Sequence, residues 1–163
     1  MRGSQLRNFG ACMSPFNAYL FMLGLDTLDL RMKDISYRCL ELAKFLEQHR
    51  AVDLVLHAEL GSKCAGITEY FPNGTGGLFS FKLHGDIKQV RQFFDALSMI
   101  PVATNIGDSK TIVQHVESTS HSQLSAQQLT AAGIPANLLR ISMGLESLDK
   151  LLKEFDTALN ATL

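Results

Sequence analysis

The sequence lacks the paired cysteines of a disulfide-bonded or zinc-binding protein. Its three cysteines, Cys12, Cys39 and Cys64, are odd in number and far apart, and no Cys-x-x-Cys pair occurs. Two of the five histidines, His115 and His121, are six residues apart, but no carboxylate-rich ligand pattern surrounds them. We therefore expect free, buried or half-buried thiols and no metal site.

The sequence also lacks an excess of charge and any long apolar run. Fifteen Lys and Arg stand against sixteen Asp and Glu, so the formal charge is −1 over 163 residues. This balance argues against nucleic-acid binding, and the 46% of hydrophobic residues argues against disorder. No apolar run reaches the roughly 18 residues that cross a membrane. We expect a cytoplasmic protein with no membrane and no nucleic-acid partner, in which residues 1–5 are a leader or an arbitrary start and residues 6–163 form one domain.

Capping signals and apolar periodicity predict the helices. Ser14 and Pro15 are typical of a helix start, and that helix is expected to end near Leu23. A longer helix with one apolar stripe is expected to end near His49. Three further helices are predicted to begin at Asp86, Ser125 and Ser147.

Alternating or apolar stretches predict five short strands, at residues 52–56, 78–84, 102–106, 111–114 and 138–143. Connections such as the turn at Gly107 and Asp108 are too short for a parallel crossover. The sequence therefore predicts an α+β fold, with a small, mostly antiparallel sheet and helices packed on one face.

The glycine-rich stretch at residues 73–77 resembles a phosphate-binding loop only superficially. It precedes a strand rather than opening a helix, and it lacks the Gly-Lys-Ser/Thr ending. A tight turn is the favoured interpretation.

Arg140 is unusual because it lies inside the apolar strand Leu138–Met143. A buried, unpaired guanidinium is costly, so Arg140 needs an anion or water. One interpretation is an internal salt bridge or a strand end that faces solvent. The other is a site at which the guanidinium binds a ligand carboxylate through two parallel N–H groups.

Several strings of residues resemble the Cys/Met-metabolism family of pyridoxal-phosphate enzymes, in collinear order from about Leu6 to Leu163. They are GACMSPFNAY at residues 10–19, LRM at 30–32, GGLFSF at 76–81, ATNIGDSKT at 103–111 and LRISMGLE at 139–146. Within the family, STSHSQL at 118–124 followed by AAG at 131–133 is most similar to the O-acetylhomoserine sulfhydrylases.

The resemblance covers only the C-terminal domain of a fold-type-I pyridoxal-phosphate enzyme. Family members carry a larger upstream domain whose Ser-x-Thr-Lys motif supplies the Schiff-base lysine. Neither Lys63 nor Lys110 lies in such a motif. The resemblance therefore implies pyridoxal phosphate as the cofactor of the complete enzyme, no cofactor bound to this chain alone, and no catalytic residue in this chain.

The resemblance implies three substrate-binding residues. Arg140 matches the arginine that binds the substrate α-carboxylate, Asn105 stands where many relatives have a serine beside that carboxylate, and Ser120 matches a nearby threonine. His115-Val116 departs from the usual His-Pro.

The resemblance implies a parent reaction of γ-replacement, in which O-acetylhomoserine and sulfide give homocysteine. A cystathionine γ-synthase or a γ-lyase is the nearest alternative. A non-catalytic interaction module from a truncated gene is a third possibility. The expected partners are a small amino-acid substrate, the missing cofactor domain and further copies of the chain.

A domain without its partner should also expose apolar side chains, and the apolar residues between Phe9 and Leu20 predict such a patch.

Overall fold

The computed structural model describes residues 4–5, 7–61 and 66–163, and the side chain of Thr68 lies outside this description. Cys64, Lys63 and the first three residues therefore lie outside the described residues. The chain divides into two compact units, Met1–Arg31 and Met32–Leu163. The elements within the described ranges are listed in chain order: α1 Arg7–Phe9, α2 Pro15–Asp26, α3 Leu28–Glu47, β1 Val52–Leu56, α4 Ile67–Tyr70, β2 Leu78–Leu83, α5 Ile87–Ala96, β3 Ile112–His115, α6 Ala126–Ala131, β4 Leu138–Ser142 and α7 Leu148–Asn160.

The first unit contains α1, α2 and the first residues of α3. Ser14 caps α2 by accepting a hydrogen bond from the backbone N–H of Asn17, and Pro15 occupies the first turn, as predicted. The helix continues past Leu23 to Asp26, because Gly24 weakens a helix without ending it. None of the residues of α2 is buried.

The second unit is built on a four-stranded sheet with the order β1-β2-β4-β3, in which every neighbouring pair is antiparallel. Val52–Leu56 was predicted with both ends correct. The α+β class and the small antiparallel sheet are confirmed.

The predicted strand at residues 102–106 is wrong. Within the described residues, this segment contributes one parallel bridge, between Val102 and Val113. Val113 donates its backbone N–H to the Pro101 carbonyl, and Ala103 donates to the Val113 carbonyl. We expected an antiparallel strand pair here because the connection is short. A single parallel bridge forms instead, since one bridge does not need the long crossover that a full parallel strand pair requires.

The hydrophobic core lies on one face of the sheet. Phe79, Phe81 and Leu83 alternate along β2 and point to this face, where helices α3, α5 and α7 contribute the facing apolar side chains. Phe81 packs edge-on against Phe93 of α5, with 5.9 Å between ring centroids. Both rings are fully buried, so truncation of either to alanine should cost about 3–5 kcal/mol. The prediction of helices on one face is therefore confirmed.

Candidate functional site

A row of polar side chains crosses the sheet on the face opposite the helices. Strand β4 alternates, so Leu139 and Ile141 enter the core while Arg140 points to the other face. In the strand register, Arg140 lies between Ser80 of β2 and Gln114 of β3. Directly opposed residues have Cβ atoms about 4.5–5.5 Å apart, so these side chains are close neighbours.

Arg140 is held by a neutral acceptor. Its Nη2 donates a hydrogen bond of 3.2 Å to the carbonyl oxygen of Thr104. No carboxylate in the described ranges forms an ion pair with Arg140. The interpretation of Arg140 as part of an internal salt bridge is therefore wrong for the described residues. The guanidinium keeps its charge and has N–H groups left to bind an anion.

Asn105 directly follows the residue that binds Arg140. It lies in the exposed loop between the Val102 bridge and β3, where Gly107 adopts a φ of 80°. The backbone N–H of Gly107 donates to the Ser142 hydroxyl at 3.1 Å, which ties this loop to β4. The structure therefore brings Asn105 to the edge of the Arg140 site through the backbone of Thr104. Its role in substrate binding stays a prediction.

Ser120 is connected to the same site through Gln114. Nε2 of Gln114 donates to the Ser120 hydroxyl at 2.5 Å, and that hydroxyl oxygen lies 2.8 Å from Nδ1 of His121. All three predicted residues, Arg140, Asn105 and Ser120, therefore lie around one region of the sheet. Whether Ser120 contacts a substrate also stays a prediction.

Gln114 is a residue that we did not predict from the sequence. It is 1% exposed, and its Oε1 is a buried side-chain oxygen with no hydrogen-bond partner among the described residues. Leaving such an oxygen unpaired costs about 1–3 kcal/mol. The sequence offered a weak signal, because the polar Gln114 directly follows the apolar pair Ile112-Val113 in a predicted strand.

His115 fixes the start of the loop that carries Ser120. Its Nδ1 lies 2.7 Å from the Ser118 hydroxyl, and its Nε2 lies 2.8 Å from the Ala136 carbonyl oxygen. The Thr119 hydroxyl donates back to the His115 carbonyl at 2.5 Å. The loop is thus ordered by side-chain hydrogen bonds even though Val116 replaces the usual proline.

A concavity of about 770 Å³ lies elsewhere on the second unit. It is lined by Ser98, Met99, Ile100, Pro101, Ser109, Lys110, Leu145 and Glu146. None of the three predicted site residues is among them. The concavity is therefore separate from the polar row of the sheet that contains Arg140.

The described lysines lack the enclosed surroundings of a Schiff-base lysine. Every described lysine is exposed except Lys82, and Lys82 forms an ion pair with Asp53. That ion pair lowers the pKa of the Asp53 carboxyl, chiefly through the hydrogen bond from Lys82. A Schiff base needs an amine that is free and enclosed with the cofactor aldehyde. That no catalytic lysine belongs to this chain stays a prediction, because Lys63 lies outside the description.

The described residues contain no group of three or more His, Cys, Asp or Glu side chains that could bind a metal ion. No helix among them is long and apolar enough to cross a membrane.

Cys12 is an exposed free thiol, contrary to the expectation of burial, and Cys39 is buried. Burial raises the pKa of the Cys39 thiol to about 12, so this thiol is unreactive at neutral pH.

Curated relatives match the chain over most of its length. An O-succinylhomoserine sulfhydrylase of Pseudomonas aeruginosa is 40% identical over 147 residues, which are 90% of this chain. An O-acetyl-L-homoserine sulfhydrylase of Leptospira meyeri is 34% identical over 157 residues, and an L-methionine gamma-lyase of Pseudomonas putida is 35% identical over 162. The chain spans only 36% of the length of the first two relatives and 39% of the third.

Solved structures and a family profile agree with these relatives. A Campylobacter jejuni protein described as an O-acetylhomoserine (thiol)-lyase, which contains a pyridoxyl-lysine phosphate, superposes with a TM-score of 0.86 at 34% identity and covers 96% of this chain and 38% of its own. A cystathionine gamma synthase of Xanthomonas oryzae superposes with a TM-score of 0.83 at 32% identity and covers 95% and 40%. The profile of Cys/Met metabolism PLP-dependent enzymes matches residues 2–160. The chain therefore belongs to the Cys/Met-metabolism family of pyridoxal-phosphate-dependent enzymes.

Proposed function

We propose that this chain is the C-terminal, substrate-binding part of a cytoplasmic sulfhydrylase that makes homocysteine from O-acetylhomoserine and sulfide by γ-replacement. The chain spans just over a third of its relatives' length, so this activity belongs to a longer protein that includes the cofactor domain. The chain alone should be inactive. Two observations support the proposal. Sulfhydrylases are among the relatives, and residues 118–124 resemble the O-acetylhomoserine sulfhydrylases.

The observation that carries the substrate-binding part of the proposal is the environment of Arg140. Its guanidinium lies on the sheet face away from the core and is held by the Thr104 carbonyl, with no carboxylate of the described residues paired to it. A cation held by a neutral acceptor keeps its full attraction for an incoming anion. A planar carboxylate offers two oxygens, and an arginine can donate two parallel N–H groups to them.

The residues of this chain bind and orient the substrate in the proposed reaction. Arg140 binds the α-carboxylate, and Asn105 and Ser120 border the same region. Fixing the carboxylate limits the orientations that the rest of the amino acid can take. When bound in the complete enzyme, pyridoxal phosphate supplies the electron sink for the chemistry at the α- and β-carbons.

Sister reactions are the second candidate, because relatives include a methionine gamma-lyase and a cystathionine gamma synthase. These reactions share the α-carboxylate and differ in the leaving group and the nucleophile. The P. aeruginosa relative adds O-succinylhomoserine as an alternative substrate. Arg140 does not discriminate among these substrates, since each has the same carboxylate.

The experiment that tests the proposal is an assay of the full-length protein with matched substrates. O-acetylhomoserine and O-succinylhomoserine are each supplied with sulfide or with cysteine, and homocysteine and cystathionine are measured. We expect O-acetylhomoserine with sulfide to be the fastest pair. Faster formation of cystathionine would assign a cystathionine γ-synthase, and release of a thiol from methionine without any acyl substrate would assign a γ-lyase.

A second measurement tests whether the chain is part of a longer enzyme. The DNA upstream should continue in frame and encode the Ser-x-Thr-Lys motif. The purified chain, mixed with pyridoxal phosphate, should show no absorbance band of a lysine adduct. A borohydride-stable adduct at one specific lysine, together with turnover, would refute inactivity of the chain. An upstream stop codon would favour a non-catalytic module.

A further inference from the structure

We propose that Gln114 is a positioning residue for Arg140: its buried, unpaired Oε1 is the second neutral acceptor for the guanidinium when Arg140 binds a carboxylate. The inference rests on the proposed function of Arg140. It adds a residue to which neither the family resemblance nor the sequence motifs assign a role.

The position of Gln114 restricts what its amide can contact. Gln114 and Arg140 are directly opposed partners in the β3–β4 pairing, so their side chains leave the sheet on the same face as close neighbours. Gln114 is 1% exposed, and water does not reach its Oε1. Arg140, its directly opposed partner, has several N–H groups, of which one binds Thr104.

The orientation of the amide is set by its other end. Nε2 donates to the Ser120 hydroxyl, which can then donate its own proton to Nδ1 of His121. Turning the amide over would let Oε1 accept from Ser120, but it would offer Arg140 a second donor, and a guanidinium only donates hydrogen bonds. The orientation in which Nε2 binds Ser120 therefore keeps Oε1 available for Arg140.

A neutral oxygen is the suitable partner for a substrate-binding arginine. A carboxylate at position 114 would form a buried ion pair with Arg140 and reduce its attraction for a substrate anion. An amide oxygen can align the guanidinium without cancelling its charge. The unpaired oxygen also lowers the stability of the unliganded protein. Unpaired buried polar groups of this kind in native proteins are often found at functional sites.

The test measures ligand binding and stability of the full-length protein in parallel. Calorimetry gives the Kd of L-norleucine, which has an α-carboxylate and no γ-leaving group, and of L-norleucinamide, which lacks the carboxylate. We expect Gln114→Met to weaken norleucine binding about 5–30-fold, to leave norleucinamide binding unchanged, and to keep or raise the melting temperature because an orphan oxygen is removed. Gln127→Met, on the exposed surface of α6, is the matched control and should change neither Kd.

The outcomes separate this inference from the proposed function. A Gln114→Met protein that melts several degrees lower, or that binds norleucine as tightly as the original, overturns the positioning role. Gln114→Glu provides the second variant: it should weaken norleucine binding at least as much as Gln114→Met, and unchanged binding would also overturn the proposal. If Arg140→Lys leaves the preference for norleucine over norleucinamide unchanged, the proposed function of Arg140 fails, and the role of Gln114 fails with it.

Discussion

The carbonyl oxygen of Thr104 lies 3.2 Å from Nη2 of Arg140, and through this hydrogen bond the loop that carries Asn105 reaches strand β4. The acceptor is a backbone group, so it orients the guanidinium without neutralising it. The contact joins residues that are 36 positions apart in the chain. Arg140 and Asn105, two of the predicted substrate-binding residues, are therefore connected through the backbone of Thr104.

Arg140→Lys should raise the KM of the full-length enzyme for O-acetylhomoserine about 10–100-fold, while the fold and the cofactor spectrum stay normal. The reason is that lysine is a point charge and cannot donate two parallel N–H groups to a carboxylate. Steady-state kinetics and circular dichroism check this. Arg91→Lys, on an exposed position of α5, is the control and should leave KM unchanged. An unaltered KM in Arg140→Lys would contradict the role of Arg140.

Glu154→Gln should lower the free energy of unfolding by about 1 kcal/mol at pH 7, and the difference should disappear in acid. The Glu154 carboxylate accepts hydrogen bonds from the backbone N–H groups of Ser98 and Met99 and from the Ser98 hydroxyl, and so links α7 to the end of α5. Burial alone would raise its pKa, but these hydrogen bonds outweigh burial, and the pKa of Glu154 is lowered.

The sign of this pH dependence follows from the lowered pKa. A carboxyl that is more acidic when folded adds stability above its ordinary pKa of 4.5, and this stability is lost as the pH falls through the lower pKa of the folded state. Urea unfolding at pH 7 and at pH 3 measures both limits. Glu47→Gln, at an exposed end of α3, is the control. A difference that persists undiminished at pH 3 would show that the charge of Glu154 is not responsible.

Gly144→Ala should destabilise the second unit by about 1–3 kcal/mol or more. A Cβ at this position would lie 2.3 Å from the backbone nitrogen of Thr111 and 2.4 Å from the carbonyl carbon of Lys110, so backbone must move. Gly24→Ala in α2 is the matched control, because nothing lies within 4 Å of its Cβ position. It should be neutral or stabilising by about 0.5–1 kcal/mol. Thermal unfolding measures both, and equal effects would contradict the packing argument.

The exposed apolar helix α2 should cause self-association of the isolated chain. Phe16, Phe21 and Met22 are 68%, 64% and 64% exposed, and apolar side chains surround the helix. A helix that is apolar all round is normally buried against another surface. The double variant Phe16→Gln with Phe21→Gln should lower the apparent mass at a given concentration in light scattering. A strictly monomeric original chain would contradict this prediction.

Local signals in the sequence were sufficient for many elements of the fold. The predicted capping box of Ser125 with Gln128 forms, and Asp86 caps α5 as predicted, in a capping box with Gln89 that we did not predict. The alternation of residues 78–83 placed Phe79 and Phe81 in the core. These features depend on residues within a few positions of each other, so the sequence by itself determined them.

Which residues lie next to Arg140 was decided only by tertiary structure. The sequence singled out Arg140 because a cation interrupts an apolar strand, and the family resemblance added Asn105 and Ser120. Gln114 was missed, since its proximity to Arg140 depends on the register of two strands more than twenty residues apart. The same limit explains the wrong strand at 102–106, where one bridge to Val113 replaced a ladder. Caps and alternation are local properties of the chain, whereas register and burial depend on how distant segments pack together.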